Sequence, residues 1–228
     1  MHPARVLVAN RLNLERPGTL TDMGFYRAFV LPQLLGFSER LASMELVRQR
    51  AVEYATGHVL EIGVGLGPTL PFYHPEITSL TTVDPNSRFN ARVRRRLRHL
   101  PFPVDMREGC GEQLPLKDCT FDCVVSTFAL CCVGDVARVL TEIHRVLKPG
   151  GRVLFAEPGP SPDADILKWQ RRFARLQGLV VDGCRVDRSP DTALLAAGFE
   201  LKRLEVTYLE GLPKSLGCVY TGMAGKPL

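Results

Sequence analysis

The sequence predicts an α/β fold built around a mostly parallel, doubly wound sheet. From Gly57 onward, short apolar runs alternate with segments of helical periodicity, the pattern of strands joined by helical crossovers. Three alternate glycines, in the stretch Gly63–Gly67, follow the first apolar run, and the carboxylate Asp84 ends the second. Ligands of such sheets bind at the carboxyl ends of the strands, so both features mark that edge as the site.

Seven strands are expected after residue 57, because seven short runs are rich in β-branched and apolar residues. They are His58–Ile62, Ser79–Val83, Val104–Arg107, Cys119–Thr127, Arg152–Glu157, Glu200–Thr207 and Val219–Ala224, the last two as a closing pair. The connecting helices are expected at Thr69–Phe72, Ser87–Leu100, Asp135–Leu147, Asp163–Gln177 and Pro190–Ala197.

The N-terminal part of the chain follows a different pattern. Residues 1–20 show little periodicity, whereas Met23–Tyr54 carries apolar residues at helical spacing, which predicts two or three helices over the ligand edge. A length of 228 residues with 45% hydrophobic content suits one buried α/β domain rather than two. We therefore expect an N-terminal arm and helical cap over residues 1–56, forming one globular unit with a single domain over residues 57–228.

Several function classes are disfavoured by composition. No apolar run reaches the roughly 18 residues of a transmembrane helix, and the start Met1–Arg5 lacks the apolar core of a signal peptide. We expect a soluble, cytoplasmic protein without a membrane span. The seven cysteines are odd in number and irregularly spaced, which indicates reduced thiols. No histidine stands at metal-ligand spacing from them, so no metal site is expected.

The net charge of +5 is concentrated on one predicted helix. Its basic residues are Arg88, Arg92, Arg94, Arg95, Arg96, Arg98 and His99. They spread around the helix, and no interleaved aromatic side chains offer a stacking platform for bases. Nucleic-acid binding is therefore not expected.

The loop after the first strand indicates a nucleoside ligand with a charged tail. Its glycines let backbone N–H groups approach the ligand, and Glu61 would face something cationic. Asp84 is placed to hold both hydroxyls of a ribose. The dinucleotide fingerprint fails, because Pro68 stands where its third glycine would be. Together these features point to S-adenosylmethionine (SAM).

Five motifs, in their order and separations, resemble those of class I SAM-dependent methyltransferases. They are Glu61-x-Gly63-x-Gly65-x-Gly67, the acidic Asp84, the stretch from Gly109 to Pro115, the stretch Phe121-Asp122-x-Val124-Val125, and the stretch from Arg145 to Gly151. The resemblance implies a Rossmann-like class I methyltransferase fold with a seven-stranded, mostly parallel sheet, helices on both faces and an N-terminal helical cap. It makes residues 57–228 a SAM-dependent methyltransferase domain.

The same resemblance implies a cofactor site. The loop Gly63–Gly67 would hold the methionine part of SAM, Asp84 the ribose hydroxyls and the turn Cys110–Glu112 the adenine edge. Many relatives have an aspartate where Cys110 stands, and a thiol is a poor acceptor. The adenine contact would therefore come from backbone atoms of this turn or from another side chain. The expected cofactor-binding residues are Glu61, Gly63, Gly65, Gly67, Asp84, Pro85, Cys110, Gly111, Glu112 and Thr127.

Further segments are similar to bacterial relatives of the methyltransferase-like 7 group, which methylates small alkyl thiols. They are Gly24-Phe25-Tyr26-x-x-Phe29-Val30-Leu31-Pro32, the stretch from Leu70 to Tyr73, the stretch from Thr127 to Cys131, Trp169-Gln170 and the stretch from Asp182 to Arg188. The mammalian members carry an apolar N-terminal anchor, and membrane attachment is not carried over. The resemblance implies S-methylation of a small molecule, with Tyr26, Phe128, Leu130, Trp169, Asp182 and Cys184 as acceptor-side residues.

A thiol acceptor suits a sequence in which no side chain is assigned as catalytic base, since a free thiol with a pKa near ~8.5 supplies some thiolate at neutral pH. Three alternatives stay open. The acceptor atom could be O, C or N on a quinone, lipid head group or natural-product intermediate. Arsenite could be the acceptor if three of Cys110, Cys119, Cys131 and Cys184 converge. The chain could also be an RNA-associated or non-catalytic SAM-binding protein. Either a monomer or a homodimer fits.

Overall fold

The computed structural model describes residues 42–85, 90–97, 99–180 and 184–228. The predicted arm over residues 1–20, and all of the predicted cap up to residue 41, lie outside this part. The described remainder of the cap contains one helix, α1 (Ala42–Val52), which packs its buried face against the sheet.

Seven strands of the described chain form one mixed sheet in the order β3-β2-β1-β4-β5-β7-β6. Their bounds are β1 His58–Ile62, β2 Ser79–Asp84, β3 Val104–Glu108, β4 Phe121–Thr127, β5 Leu147–Pro158, β6 Glu200–Tyr208 and β7 Cys218–Gly225. Strands β1 to β5 pair in parallel, and β7 runs antiparallel between β5 and β6. The seven-stranded, mostly parallel sheet expected from the sequence is confirmed.

Two strand boundaries differ from expectation. Strand β4 begins at Phe121, because Cys119 has a left-handed backbone with φ +47° that ends any extended run there. Strand β5 begins at Leu147, well before the expected Arg152, because Leu147 already pairs with Phe121 and the register then shifts before Cys123. Residues 148–151, which include the Pro-Gly-Gly segment, have no pairing partner on β4, and the pairing resumes at Arg152 opposite Cys123.

Helices connect the strands close to the expected positions. Beyond α1 they are α2 Asn90–Leu97, α3 Val136–Val146, α4 Ala164–Val180, α5 Pro190–Ala196 and the unpredicted short α6 Lys214–Gly217. Asp135 caps α3, accepting a hydrogen bond from the backbone N–H of Arg138. The segment after the glycine loop, expected to be helical over Thr69–Phe72, contains one 3-10 turn, Leu70–Phe72. Among the described residues, no helix combines the length and apolar character needed to cross a membrane.

The hydrophobic core lies on both faces of the sheet. On one face, the apolar side of α3 packs on β1, β4 and β5 together with Leu194 of α5. On the other face, Val52 and Val93 pack with Leu70 of the 3-10 turn against β1 and β2. The strand order reverses between β1 and β4, so the carboxyl ends of β1, β2 and β4 meet at one edge beside this switch point.

Candidate functional site

The glycine loop after β1 has a left-handed backbone. Gly63, Gly65 and Gly67 have φ values of +71°, +53° and +71°, which L side chains rarely adopt. A Cβ on Gly63 would lie 2.7 Å from the Cβ of Ala129, so the loop packs directly against the segment after β4. A Cβ on Gly65 would meet nothing nearer than the carbonyl oxygen of Gly63 at 4.0 Å. The loop therefore leaves open space beside Gly65.

Asp84 ends β2 next to this loop. Its Oδ2 accepts a hydrogen bond of 2.9 Å from the backbone N–H of Gly65. The N–H of Gly63 donates to the carbonyl oxygen of Val83 at 2.8 Å, which fixes the loop to the same strand. Asp84 is half-buried, and Pro85 after it is exposed. The structure thus brings the predicted glycine and ribose motifs together.

Glu61 is a buried carboxyl group on β1, only 1% exposed. Its Oε2 accepts a hydrogen bond of 3.1 Å from the hydroxyl of Tyr73. Its Oε1 is buried without a hydrogen-bond partner in the described part of the chain. Burial raises the pKa of Glu61 to about 7 against the opposing effects of the Tyr73 and Thr69 hydroxyls, and burial likewise raises the pKa of Tyr73.

The turn at Cys110–Glu112 is tied to the start of α3. One carboxylate oxygen of Glu112 accepts from the backbone N–H of Gly134 at 3.1 Å, and its carbonyl oxygen accepts from Nε of Arg138 at 3.1 Å. Gly111 is buried against Val139, where an added Cβ would lie 3.2 Å away. Cys110 is exposed. The side chain of Glu112 is therefore engaged in structure, which leaves the backbone of this turn for an adenine contact.

The end of β4 forms the wall opposite the glycine loop. The hydroxyls of Thr127 and Thr69 lie 2.9 Å apart in a hydrogen bond, and both side chains are buried. Phe128 has an unusual left-handed backbone with φ +55°. The guanidinium of Arg48 lies 5.5 Å from the centroid of its ring. Leu130, two residues further on, is buried.

A buried carboxylate holds this wall in place. Oε1 of Glu157 accepts from the backbone N–H groups of Ala129 and Leu130, both at 3.0 Å, and from the hydroxyl of Ser126 at 2.8 Å. Its Oε2 accepts from the N–H of Cys131 at 3.2 Å. Burial raises the pKa of Glu157 to about 7, and these donors oppose that shift. Glu157 thus orders the loop that faces Gly63.

Comparison with known proteins agrees with this geometry. Residues 60–155 match a family described as a methyltransferase domain. The chain is 34% identical over 151 residues to the thiol S-methyltransferase TMT1B of Rattus norvegicus, a match covering 64% of this chain and 62% of the rat enzyme. It is 31% identical over 123 residues to the phosphatidylethanolamine N-methyltransferase of Cereibacter sphaeroides, covering 53% of this chain and 60% of that enzyme. The chain thus spans less than two thirds of the length of these relatives.

A solved structure shows the same fold. A SAM-dependent methyltransferase from Thermotoga maritima superposes with a TM-score of 0.65 over 89% of this chain and 99% of that chain, at 23% sequence identity. Residues 60–155 therefore carry a methyltransferase domain. The class I fold expected from the motifs is confirmed, and SAM is the cofactor of this domain.

Two observations at the glycine loop of the methyltransferase domain fit the chemistry of SAM. The buried Oε1 of Glu61 receives no hydrogen bond from any described residue. This oxygen is therefore available to accept a hydrogen bond from a ligand ammonium. The open space at Gly65 lets a ligand lie against the backbone, beside the carboxylate of Asp84. The predicted set around the glycine loop therefore converges, with Cys110 and Pro85 at its exposed margin.

The acceptor-side residues are brought together only in part. Ala129 contacts the glycine loop of the domain, but its neighbour Phe128 packs against α1 and Leu130 packs in the core beneath α3. Tyr26 and Asp182 fall outside the described residues. Trp169 is 57% exposed on α4 and stacks on Phe173 with 5.3 Å between ring centroids. Both rings line a cleft of about 410 Å³ with α6, and no residue of the glycine loop or of the β4 end lines it.

Cys184 lies in a group that the sequence analysis did not anticipate. The Sγ atoms of Cys131, Cys132 and Cys184 all lie within 4.8 Å of one another. Cys110 and Cys119, which the arsenite alternative named, are exposed and do not belong to this group. Hydrogen bonds with the Cys131 and Cys184 thiols lower the pKa of Cys132 to about 4, and the same pairing with Cys132 raises the pKa of Cys131.

Sequence reasoning also missed three other residues at the site of the methyltransferase domain. Arg48 is 5% exposed on a helix whose other charged residues, Glu45 and Arg50, are exposed, so the residue type gives no signal of burial. Tyr73 was noted only as part of a motif, not as the partner of Glu61. Glu157 did give a signal, because a carboxylate that ends a buried apolar strand at the ligand edge is unusual.

Proposed function

We propose that this protein transfers a methyl group from SAM to a small-molecule thiol and releases S-adenosylhomocysteine. The observation that carries the proposal is the contact between Ala129 and Gly63, because it places the apolar segment Phe128–Leu130 next to the cofactor loop through Ala129. An apolar wall next to a methyl donor suits a small lipophilic acceptor. The thiol S-methyltransferase of Rattus norvegicus supports sulfur as the acceptor atom.

The residues around the glycine loop divide the task of holding SAM. Backbone N–H groups of Gly63–Gly67 would approach the methionine part, and Oε1 of Glu61 would accept from its ammonium. The carboxylate of Asp84 would accept hydrogen bonds from the ribose hydroxyls while keeping the hydrogen bond that it accepts from the backbone N–H of Gly65. When bound, SAM supplies a methyl group on a cationic sulfonium.

The protein's contribution to the reaction is alignment and exclusion of water. Glu157 fixes the backbone of residues 129–131, and so holds the apolar wall at a set distance from Gly63. The buried Thr127 and Thr69 hydroxyls form a hydrogen bond of 2.9 Å with each other, which joins the end of β4 to the segment after the glycine loop. A thiol acceptor requires little proton transfer, because part of it is already ionised at neutral pH.

A second candidate is an N-methyltransferase acting on an amine head group. The relative in Cereibacter sphaeroides, named for phosphatidylethanolamine N-methylation, favours it. The two proposals differ in the acceptor atom, and that atom can be measured. The N-terminal cap over residues 1–56, and a small-molecule partner rather than nucleic acid, remain parts of the proposal.

The test is S-adenosylhomocysteine release by the purified chain with a panel of small thiols, each paired with its hydroxyl and amine isostere. Product masses identify the methylated molecule. We expect turnover with thiols and at least about tenfold less with the paired alcohols and amines. Turnover that prefers an alcohol or amine would overturn the thiol assignment. The variant Asp84→Ala, which should lose activity with every acceptor, shows that turnover comes from this site.

A further inference from the structure

Three thiols converge beside the wall of the cofactor edge. The Sγ atoms of Cys131 and Cys132 are 3.5 Å apart, and Cys184 brings its Sγ within 4.8 Å of both. Cys131 and Cys184 are buried, and Val186 packs against them. Cys132 is exposed, so the group can be reached from solvent.

The backbone around these thiols is fixed from two sides. The N–H of Arg185 donates to the carbonyl oxygen of Cys131 at 3.0 Å, which joins the two segments that supply the thiols. The N–H of Cys131 donates to Glu157, and the N–H of Cys132 donates to the carbonyl oxygen of Ala129 at 3.0 Å. Arg188 donates from Nη1 to the carbonyl oxygen of Val133 at 2.8 Å. The sulfurs are therefore held together by the fold and not by each other alone.

We propose that Cys131, Cys132 and Cys184 form a binding site for a soft, thiophilic metal or metalloid ion. Three sulfurs at about 2.3 Å from one ion lie roughly 3.8 to 4 Å apart, a spacing between the observed 3.5 Å and the 4.8 Å limit. Thiolates select soft ions over hard oxygen-seeking ions. Among the described residues the group holds no histidine or carboxylate, so its chemistry is that of sulfur alone.

Binding is written without any change of oxidation state. With arsenite, three As–S bonds form as three As–O bonds break, and the three thiol protons leave with the oxygens as water. With Cd²⁺, three Cd–S bonds form, and the thiol protons go to solvent or buffer. The site requires no assumption about the methyl acceptor.

The test uses the full, untagged chain under reducing, oxygen-free conditions, titrated separately with Cd²⁺ and with arsenite. Bound ion is measured by equilibrium dialysis, and Cd²⁺ additionally by the ultraviolet absorption of its thiolate bonds. We expect one equivalent of ion per chain. Cys132→Ser, Cys131→Ser and Cys184→Ser should each weaken binding by at least about tenfold, since loss of a ligand exceeds the 10- to 100-fold cost of losing an outer-shell partner.

Cys110→Ser and Cys119→Ser are the matched controls, because both thiols are free, exposed and outside the group. Equal losses in these controls, or no stoichiometric binding of either ion, would overturn the proposal. Since Cys131 and Cys184 are buried, SAM affinity and thermal unfolding report whether those variants fold, and the exposed Cys132→Ser decides the question if they do not. SAM binding that persists in Cys132→Ser separates this site from the proposed methyl transfer.

Discussion

The backbone N–H of Gly65 donates a hydrogen bond of 2.9 Å to Oδ2 of Asp84. This bond joins the loop after β1 to the end of β2, so two motifs that are separate in sequence act as one unit. The carboxylate that would hold a ribose also sets the position of the loop that would hold the methionine part. Changes on either side of this bond should therefore affect SAM binding.

Asp84→Ala should lower SAM affinity by roughly 10- to 100-fold, because a hydrogen bond to a charged group contributes about 1.5 to 3 kcal/mol. Asp84→Asn, which keeps an acceptor for Gly65 but loses the charge, should fall between Ala and the wild type. Isothermal titration calorimetry measures both. Asp105→Ala, an exposed carboxylate paired with Arg107, is the control and should bind SAM normally.

Gly65→Ala should weaken SAM binding through the space that the methyl group would enter. Gly198→Ala is a matched control, because Gly198 also has positive φ, at +86°, and nothing lies within 4 Å of an added Cβ. Both changes carry a similar backbone strain of about 1 to 2 kcal/mol. The midpoint temperature of thermal unfolding should therefore fall by a similar amount in both variants, while SAM affinity should fall only in Gly65→Ala. A similar loss of affinity in Gly198→Ala would assign the effect to stability.

The buried Glu61 predicts a pH dependence of SAM binding. Since its pKa in the folded protein is about 7, part of the group is protonated at neutral pH. A ligand ammonium favours the carboxylate, so SAM affinity should rise between about pH 6 and pH 8. Glu61→Gln removes the titration of this carboxyl group but leaves the titration of the ligand ammonium. The difference between the pH profiles of SAM affinity in the wild type and the variant therefore isolates the effect of Glu61. Identical profiles would contradict the assignment.

The free energy of unfolding of the unliganded protein should fall as pH rises, whereas SAM affinity should rise. The pKa of Glu61 is raised above its ordinary 4.5, so its contribution to the free energy of unfolding is full below that value and declines as pH rises through about 7. Tyr73→Phe removes a hydrogen bond that lowers the pKa of Glu61, and should therefore shift the affinity profile to higher pH. Denaturant unfolding at several pH values checks the first statement.

The sheet was predictable because its central strands are largely buried and read as short runs rich in apolar and β-branched residues. The start of β5 was not, because the pairing of Leu147 with Phe121 is a contact between strands that local sequence does not report. The thiol group was missed for a similar reason. Cys131 and Cys132 are adjacent, but Cys184 is distant in sequence and is brought to them by the fold, in which the N–H of Arg185 donates to the carbonyl oxygen of Cys131. Rules for the spacing of metal ligands apply to short sequence intervals, so they do not detect a group of cysteines that are distant in sequence.

The wall after β4 should depend on Glu157. Glu157→Gln keeps one carbonyl oxygen for the donors at Oε1. Its amide NH2 then faces the N–H of Cys131, so two hydrogen-bond donors meet without an acceptor. We expect a loss of about 1 to 3 kcal/mol in the free energy of unfolding, the cost of a buried unsatisfied donor. Because burial raises the pKa of Glu157 to about 7, the wild type itself loses stability as pH rises from 4.5, so the deficit of the variant should shrink toward pH 8. Urea unfolding at pH 5 and pH 8 tests the sign, and a deficit that grows with pH would contradict it.

Substitutions of Phe128 test whether acceptor binding can be separated from cofactor binding. Its ring lies beside Arg48, and its φ of +55° would be unstrained for glycine. Phe128→Gly therefore relieves backbone strain while removing a half-buried ring that packs against α1. We expect an increase of about tenfold in the KM for a lipophilic thiol, since a buried aromatic contributes well over 1 kcal/mol of apolar burial. SAM affinity should stay within about twofold, because the contact with Gly63 comes from Ala129.

Phe128→Leu, which retains an apolar side chain but not the ring, should raise the KM less. A variant that loses SAM affinity with its acceptor KM unchanged would place Phe128 on the cofactor side instead.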